Sequence, residues 1–150
     1  MIPSFDPETG NLPPGIHPAA WEEIAARFGD TPHRRKLMEG LKAVLFALKA
    51  AGCQRVYVDG SFVTNKEHPG DFDGCWDVEG VDVAVLKKIA PPLLDFRNRR
   101  KAQKAAYGGE MFLAHTQADP FGARFVDFFQ RNKETGEPKG IIAIDLKDFT

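Results

Sequence analysis

Asp71 and Asp73 flank a single phenylalanine, and they follow a glycine-serine pair, Gly60 and Ser61, within the stretch DGSFVTNKEHPGDFD. Side chains two apart on a strand leave the same face, with Cα atoms roughly 6.5 Å apart, so the two carboxylates converge while Phe72 enters the opposite layer. Unpaired carboxylates side by side repel, and the pair persists only where a cation, a base or water offsets both charges. Magnesium suits such a pair, because it takes hard oxygen ligands and shares its shell with phosphate oxygens and water. In a two-ion site the ions lie about 3.5–4 Å apart, one activating an attacking hydroxyl and the other stabilising departing pyrophosphate. Gly60 has no Cβ, so the backbone there can approach a triphosphate closely, with its amide and those of Ser61 and Phe62 directed at phosphate oxygens. The Ser61 hydroxyl is a further donor, and Lys66 and His68 on the same excursion can add positive charge, a solvated loop lysine being the other account of Lys66. A hairpin with an acidic, solvated turn is the alternative account of these residues.

Other residues carry weaker signals. Arg97, Arg99, Arg100, Lys101 and Lys104 fall on one expected helix, either as a solvated face or as a phosphate-contacting surface for RNA or a nucleotide acceptor. The cluster Phe121, Phe125, Phe128 and Phe129 suits core packing better than base stacking. His17, His33, His68 and His115 have no ligand spacing, and Ser61 lacks the G-x-S-x-G setting of a hydrolase nucleophile.

The elements that must position these groups are legible in part. Residues 1–16 hold four prolines and no apolar period, and read as an extended arm. In HPAAWEEIAARFGD, Pro18 suits the first helical position and Trp21, Ile24, Ala25 and Phe28 recur at helical spacing before Gly29. A second helix is capped by Thr31, entered through Pro32 and closed by Gly52, with the stripe Leu37, Met38, Leu41, Val44, Leu45 and Leu48. QRVYVD, residues 54–59, alternates as a strand and delivers Gly60-Ser61 at its end, and residues 71–76 read as its antiparallel return. Two helical pieces follow, VDVAVLKKIA and LLDFRNRRKAQKAAY, divided by Pro91-Pro92. EMFLAH, residues 110–115, and GIIAIDL, residues 140–146, read as further strands, while ARFVDFFQR fits either a buried helix or a buried strand. The order predicts a single α/β domain over 1–150, with a mixed sheet of four or five strands flanked by helices.

The bulk numbers set limits. With 150 residues, 43% of them hydrophobic, the chain supports one sizeable core. The formal charge of −1 carries no whole-chain signature of a nucleic-acid binder, so any such contact must be local. Cys53 and Cys75 cannot complete a zinc site and read as free thiols. No basic leader and no run of eighteen apolar residues is present, which points to a soluble, cytoplasmic protein with no membrane partner.

A helix, an apolar strand ending in Gly60-Ser61, and then Asp71-Phe72-Asp73 resemble the signature of the DNA polymerase beta-like nucleotidyltransferase superfamily. The segments IPSFDPETGNLPPGIHPAAWEEIAARFG, DGSFVTNKEHPGDFDGCWD and PKGIIAIDL are similar to a small prokaryotic branch of it. Some small members of the superfamily occur in toxin-antitoxin or phage-defence modules. The resemblance implies that Gly60 and Ser61, with Lys66, hold a nucleoside triphosphate such as ATP, and that Asp71 and Asp73 bind two magnesium ions. It implies a third carboxylate on a later strand, for which Glu110 comes first, Asp145 second and Asp127 third. The implied reaction moves a nucleoside monophosphate from the triphosphate to a hydroxyl of RNA, protein or a small molecule. A protein partner in a two-gene module is implied as well. A catalytically silent binding or antitoxin module, and a metal-dependent phosphohydrolase, are the other readings. The sequence departs from the superfamily at Gly74-Cys75-Trp76-Asp77, where an apolar run is usual and Asp77 is either a turn residue or an added ligand.

Overall fold

The computed structural model describes residues 1–150. Helix α1 spans Trp21–Phe28 and buries Ile24 and Phe28, the heart of the expected stripe. Pro18 does not begin it. That residue ends strand β1, Gly15–Pro18, which pairs in parallel with β5, Gly140–Asp145. A proline lacks the N–H of a ladder and is tolerated on an edge strand. GIHP has too little alternation to announce a strand, and its partner lies far along the chain.

Helix α2, Pro32–Ala50, has the expected cap: the Thr31 hydroxyl accepts from the Arg34 amide, and Pro32 takes a first-turn position where no N–H is needed. Its whole predicted stripe, from Leu37 to Leu48, is buried. Gly40, in the middle of this helix, is there for contact, since a Cβ would overlap the carbonyl of Tyr107 on a neighbouring helix.

Strands β2, Arg55–Asp59, β3, Phe72–Trp76, and β4, Gly109–Leu113, complete a five-stranded mixed sheet in the order β1-β5-β2-β3-β4. β2 runs antiparallel to both β3 and β5, and β3 runs parallel to β4. A parallel neighbour requires a crossover. Here it carries α3, Val83–Ile89, a 3₁₀ turn over Pro91–Leu94, and α4, Arg97–Tyr107. The helix expected over 93–107 therefore begins later. Pro91-Pro92 draw Leu93 and Leu94 into the 3₁₀ turn, and the Asp95 carboxylate accepts from the Arg97 amide to start α4 afresh. Within α4, Asn98, Arg99 and Arg100 have positive φ of 51°, 54° and 59°. Left-handed backbone costs a residue with a side chain roughly 1–2 kcal/mol.

The pleat divides the core in two. Val56, Val58, Phe72, Trp76, Met111, Ile142 and Ile144 face the helices in the larger cluster. Tyr57, Cys75, Ile141 and Ala143 face the other way, onto Val126 and Phe129. The ambiguous 123–131 stretch resolves as one helical turn, α5, Phe125–Phe128, covering that second face. Both cysteines are free and buried. No helix is long and apolar enough to cross a membrane.

Candidate metal centre

Sheet register builds the site. It sets Asp59 opposite Asp73 and Asp73 opposite Glu110, so three carboxylates form a row on one face of β2, β3 and β4. Asp71, one position before β3, adds a fourth. Asp71, Asp73 and Glu110 each bring one carboxylate oxygen to within 4.8 Å of the other two. This is the geometry expected of a strand presenting alternate residues, joined by a parallel neighbour whose first turn-free residues lie level with it.

Gly60 is held against this cluster. Its φ of +88° and ψ of −177° fall in a region that only glycine occupies readily. A Cβ there would lie 3.0 Å from Asp73 Oδ2 and 3.1 Å from the Asp73 nitrogen. The backbone thus turns beside the carboxylate, and the chain enters a 3₁₀ turn over Ser61–Val63. Arg34 fastens that turn from below. Its guanidinium, almost fully buried, donates to the carbonyls of Phe28, Phe62, Thr64 and Lys66, at 2.7 Å for Phe62 and 2.8 Å for Thr64. The following loop is pinned at its far end, where the His33 ring meets the Pro69 carbonyl and His68 packs edge-on against His33.

The electrostatics follow from crowding. Burial, then the carboxylates of Asp71, Asp59 and Glu110, push the Asp73 carboxyl up to about 7. Burial and Glu110 also raise Asp71, opposed by Lys104, Lys133 and Lys66. Burial raises Asp59 too, against the pull of Lys139, whose Nζ donates to Asp59 Oδ1 at 2.8 Å. Glu110 is flanked by cations: Lys104 Nζ lies 2.8 Å and Arg100 Nε 3.5 Å from its Oε1. An acidic cluster of this geometry could hold a hard cation, which would stabilise the ionised forms that burial disfavours.

Among the residues singled out in the sequence, Gly60, Ser61, Asp71, Asp73 and Glu110 come together. Lys66 sits exposed in the loop between them, with its charge felt at Asp71. Asp145 does not join them: it is opposite Arg55, at the other end of β2 from Asp59, and caps the 3₁₀ turn that follows. Asp127 is exposed on α5, and Asp77 lies beyond the far end of β3, where it meets His115 at 3.1 Å. The Phe125, Phe128 and Phe129 rings pack on one another and on Phe112, as a core does, whereas Phe121 is exposed. A surface cleft lined by Trp21, Lys49, Arg55, Asp145 and Phe149 among others lies away from the carboxylate cluster.

Sequence reasoning missed three groups. Asp59 stood beside Gly60 but read only as the last residue of a strand. Lys139 precedes an apolar strand with nothing to mark its partner eighty positions earlier. Arg34 looks like any polar residue in a first helical turn, and its carbonyl partners are invisible without the fold.

Comparison with curated proteins and with solved structures finds no match. Residues 3–145 match a family described as a family of unknown function, DUF6932, and the chain belongs to that family.

Proposed function

We propose that this protein is a divalent-metal-dependent nucleotidyltransferase. The observation that carries the reading is the convergence of Asp71, Asp73 and Glu110 within 4.8 Å, with the Gly60 backbone packed against Asp73. The donor set is three carboxylates from two adjoining strands, which suits magnesium or manganese and excludes the soft-ligand metals. The metal, bound by Asp71, Asp73 and Glu110, would supply charge neutralisation at the phosphates and acidify the attacking hydroxyl.

The protein's own groups do the rest. The open backbone at Gly60 and the Ser61 hydroxyl receive phosphate oxygens, and Lys66 adds a cation on that side. An acceptor hydroxyl attacks the α-phosphorus in line; a P–O bond forms, the bond to pyrophosphate breaks, and a carboxylate of the cluster takes the proton. Rate enhancement then rests on positioning and on charge already in place. Convergence of Glu110 with the aspartates supports this reading over a catalytically silent module, which has no use for three mutually repelling carboxylates.

The test is incubation with each α-labelled nucleoside triphosphate, magnesium and cell extract, comparing the wild type with Asp71→Ala/Asp73→Ala. Label is expected on an acceptor with the wild type and at least about a hundredfold less with the variant. Release of phosphate without nucleotide transfer would identify a phosphohydrolase instead. No label transfer by the wild type, together with no binding of magnesium-nucleotide, would sink the proposal.

A further inference from the structure

We infer that the carboxylate row takes one divalent ion per chain, and that Lys139 supplies at Asp59 the positive charge that a second ion would otherwise bring. The inference rests on the nucleotidyltransferase reading and specifies the metal requirement of the same site. It departs from the two ions that the resemblance implies.

The acidic row is longer than the metal cluster. Asp59, Asp73 and Glu110 lie level on three adjoining strands, and Asp71 stands one position before β3. A pair of divalent ions about 3.5–4 Å apart needs carboxylates that bridge and flank both. Asp71, Asp73 and Glu110 converge on one position, within 4.8 Å of one another. Asp59 is the carboxylate left to serve a second, and it is already engaged. Lys139 Nζ donates to its Oδ1 at 2.8 Å, with the two side chains only 16% and 7% exposed. At the other end of the row, Glu110 Oε1 is held by Lys104 Nζ at 2.8 Å, with Arg100 Nε 3.5 Å away, which leaves its second oxygen for a metal.

The surrounding charge favours the same count. Lys104, Lys133 and Lys66 act on Asp71, and Lys133 acts on Asp59 and Asp73 as well. Together with Arg100 and Lys139, the protein brings five cations to four carboxylates. Lys133 and Lys139 belong to one hairpin, closed by the bridge between Arg131 and Pro138 and by the Lys139 amide on the Gln130 carbonyl. One divalent ion makes such a site strongly positive toward a polyanionic triphosphate. A second adds repulsion among cations with no unengaged carboxylate to offset it. A buried ion pair adds little stability over an apolar substitute. The charge of Lys139 has a use all the same, because it keeps Asp59 from drawing a further ion into the row.

The experiment counts manganese on the full chain at about pH 8, where Asp73 is ionised. Electron paramagnetic resonance and equilibrium dialysis with metal analysis are run with and without an equimolar α,β-methylene triphosphate. Two manganese ions about 3.5–4 Å apart couple magnetically, whereas a single ion keeps its uncoupled six-line spectrum. The wild type is expected to hold about one ion per chain, uncoupled, in both conditions. Lys139→Met is expected to hold about two, with the coupled spectrum, and Asp59→Asn/Lys139→Met to return to one. Lys139→Arg, which restores the cation, should also hold one. Should Lys139→Met fail to fold, Lys139→Gln keeps a hydrogen-bond donor for Asp59 without the charge and carries the same expectation. A pair with a purely structural role would leave every variant at one ion, and that result overturns the inference, as does a coupled pair of ions in the wild type. The expected counts without any transfer of nucleotide label defeat the transferase reading and leave the ion count standing. No ion bound by the wild type defeats both.

Discussion

Asp73 shows how a residue's neighbours decide its chemistry. An isolated aspartate ionises near 4. Here burial comes first and three nearby carboxylates second, and together they hold the proton up to about 7. The sign of the pH dependence follows. A carboxyl whose folded value is raised stabilises the native state below the ordinary aspartate range, and that contribution is lost as pH rises through the folded value. The metal-free protein is therefore expected to lose stability between about pH 4 and about pH 7 on account of Asp73. Metal binding must displace the same proton, so stabilisation by manganese should grow over that window and level off above it. Thermal melts with and without manganese, from about pH 5 to about pH 8, measure this. An equal gain in melting temperature at both ends would show that Asp73 is ionised throughout.

Asp59 differs in having a partner. Lys139 sits 2.8 Å away, and both side chains are largely buried. A buried pair adds little over an apolar substitute, but removing one partner strands the other charge. Lys139→Met is expected to cost about 3–5 kcal/mol in denaturant unfolding at neutral pH. The loss should shrink in acid, where Asp59, already raised by burial, takes up a proton in the folded state. A cost unchanged between neutral and acidic buffer would mean that the lysine stem, not its charge, matters there.

At the scale of elements, the turn after β2 owes its shape to α2. Arg34 gathers the carbonyls of Phe62, Thr64 and Lys66 on one guanidinium, and with them the backbone that follows Gly60. The arm adds a second hold, through the Asn65 amide donating to the Gly10 carbonyl at 3.0 Å. Arg34→Met leaves several carbonyls without a donor and is expected to destabilise the fold by at least about 2 kcal/mol. Hydrogen exchange should show the effect concentrated in 61–70, with β5 protected nearly as before. Uniform loss of protection across the sheet would assign Arg34 to global stability rather than to the turn.

The element boundaries also show which local rules carried. Thr31-Pro32 and the 3.6-residue stripe of α2 act within one helix, and the helix appears as the pattern predicts. Pro18 obeyed a rule of equal local merit and did not form a helix start. Its neighbours found a ladder with β5, whose residues lie more than a hundred positions away. Leu93 and Leu94 similarly fit a helical stripe, but two prolines hold them in a 3₁₀ turn, and α4 begins at Arg97, whose amide donates to the Asp95 carboxylate.

Across the whole molecule, the sheet order places the chemistry. β4 lies beside β3 because a long crossover returns parallel to it, and this alone brings Glu110 level with Asp73. Asp145, the alternative third carboxylate, is on β5 and pairs toward the opposite end of β2. Either assignment satisfied the linear order of the chain. The same topology puts α4 next to β4, so that its cations adjoin the acidic row.

What the sequence determined by itself was local: the α2 helix, the strands at 55–59, 72–76, 109–113 and 140–145 to within a residue or two, and the Gly60-Ser61 and Asp71-Phe72-Asp73 pairs. Alternation and capping act between near neighbours, and a linear pattern holds that information. Tertiary structure alone decided that Glu110 completes the cluster, that Asp59 is buried beside it on Lys139, and that Arg34 secures the turn after Gly60. Those three results depend on strand register and on a crossover. Their contacts join residues 28 to 80 positions apart in the chain, a separation over which side-chain spacing carries no signal.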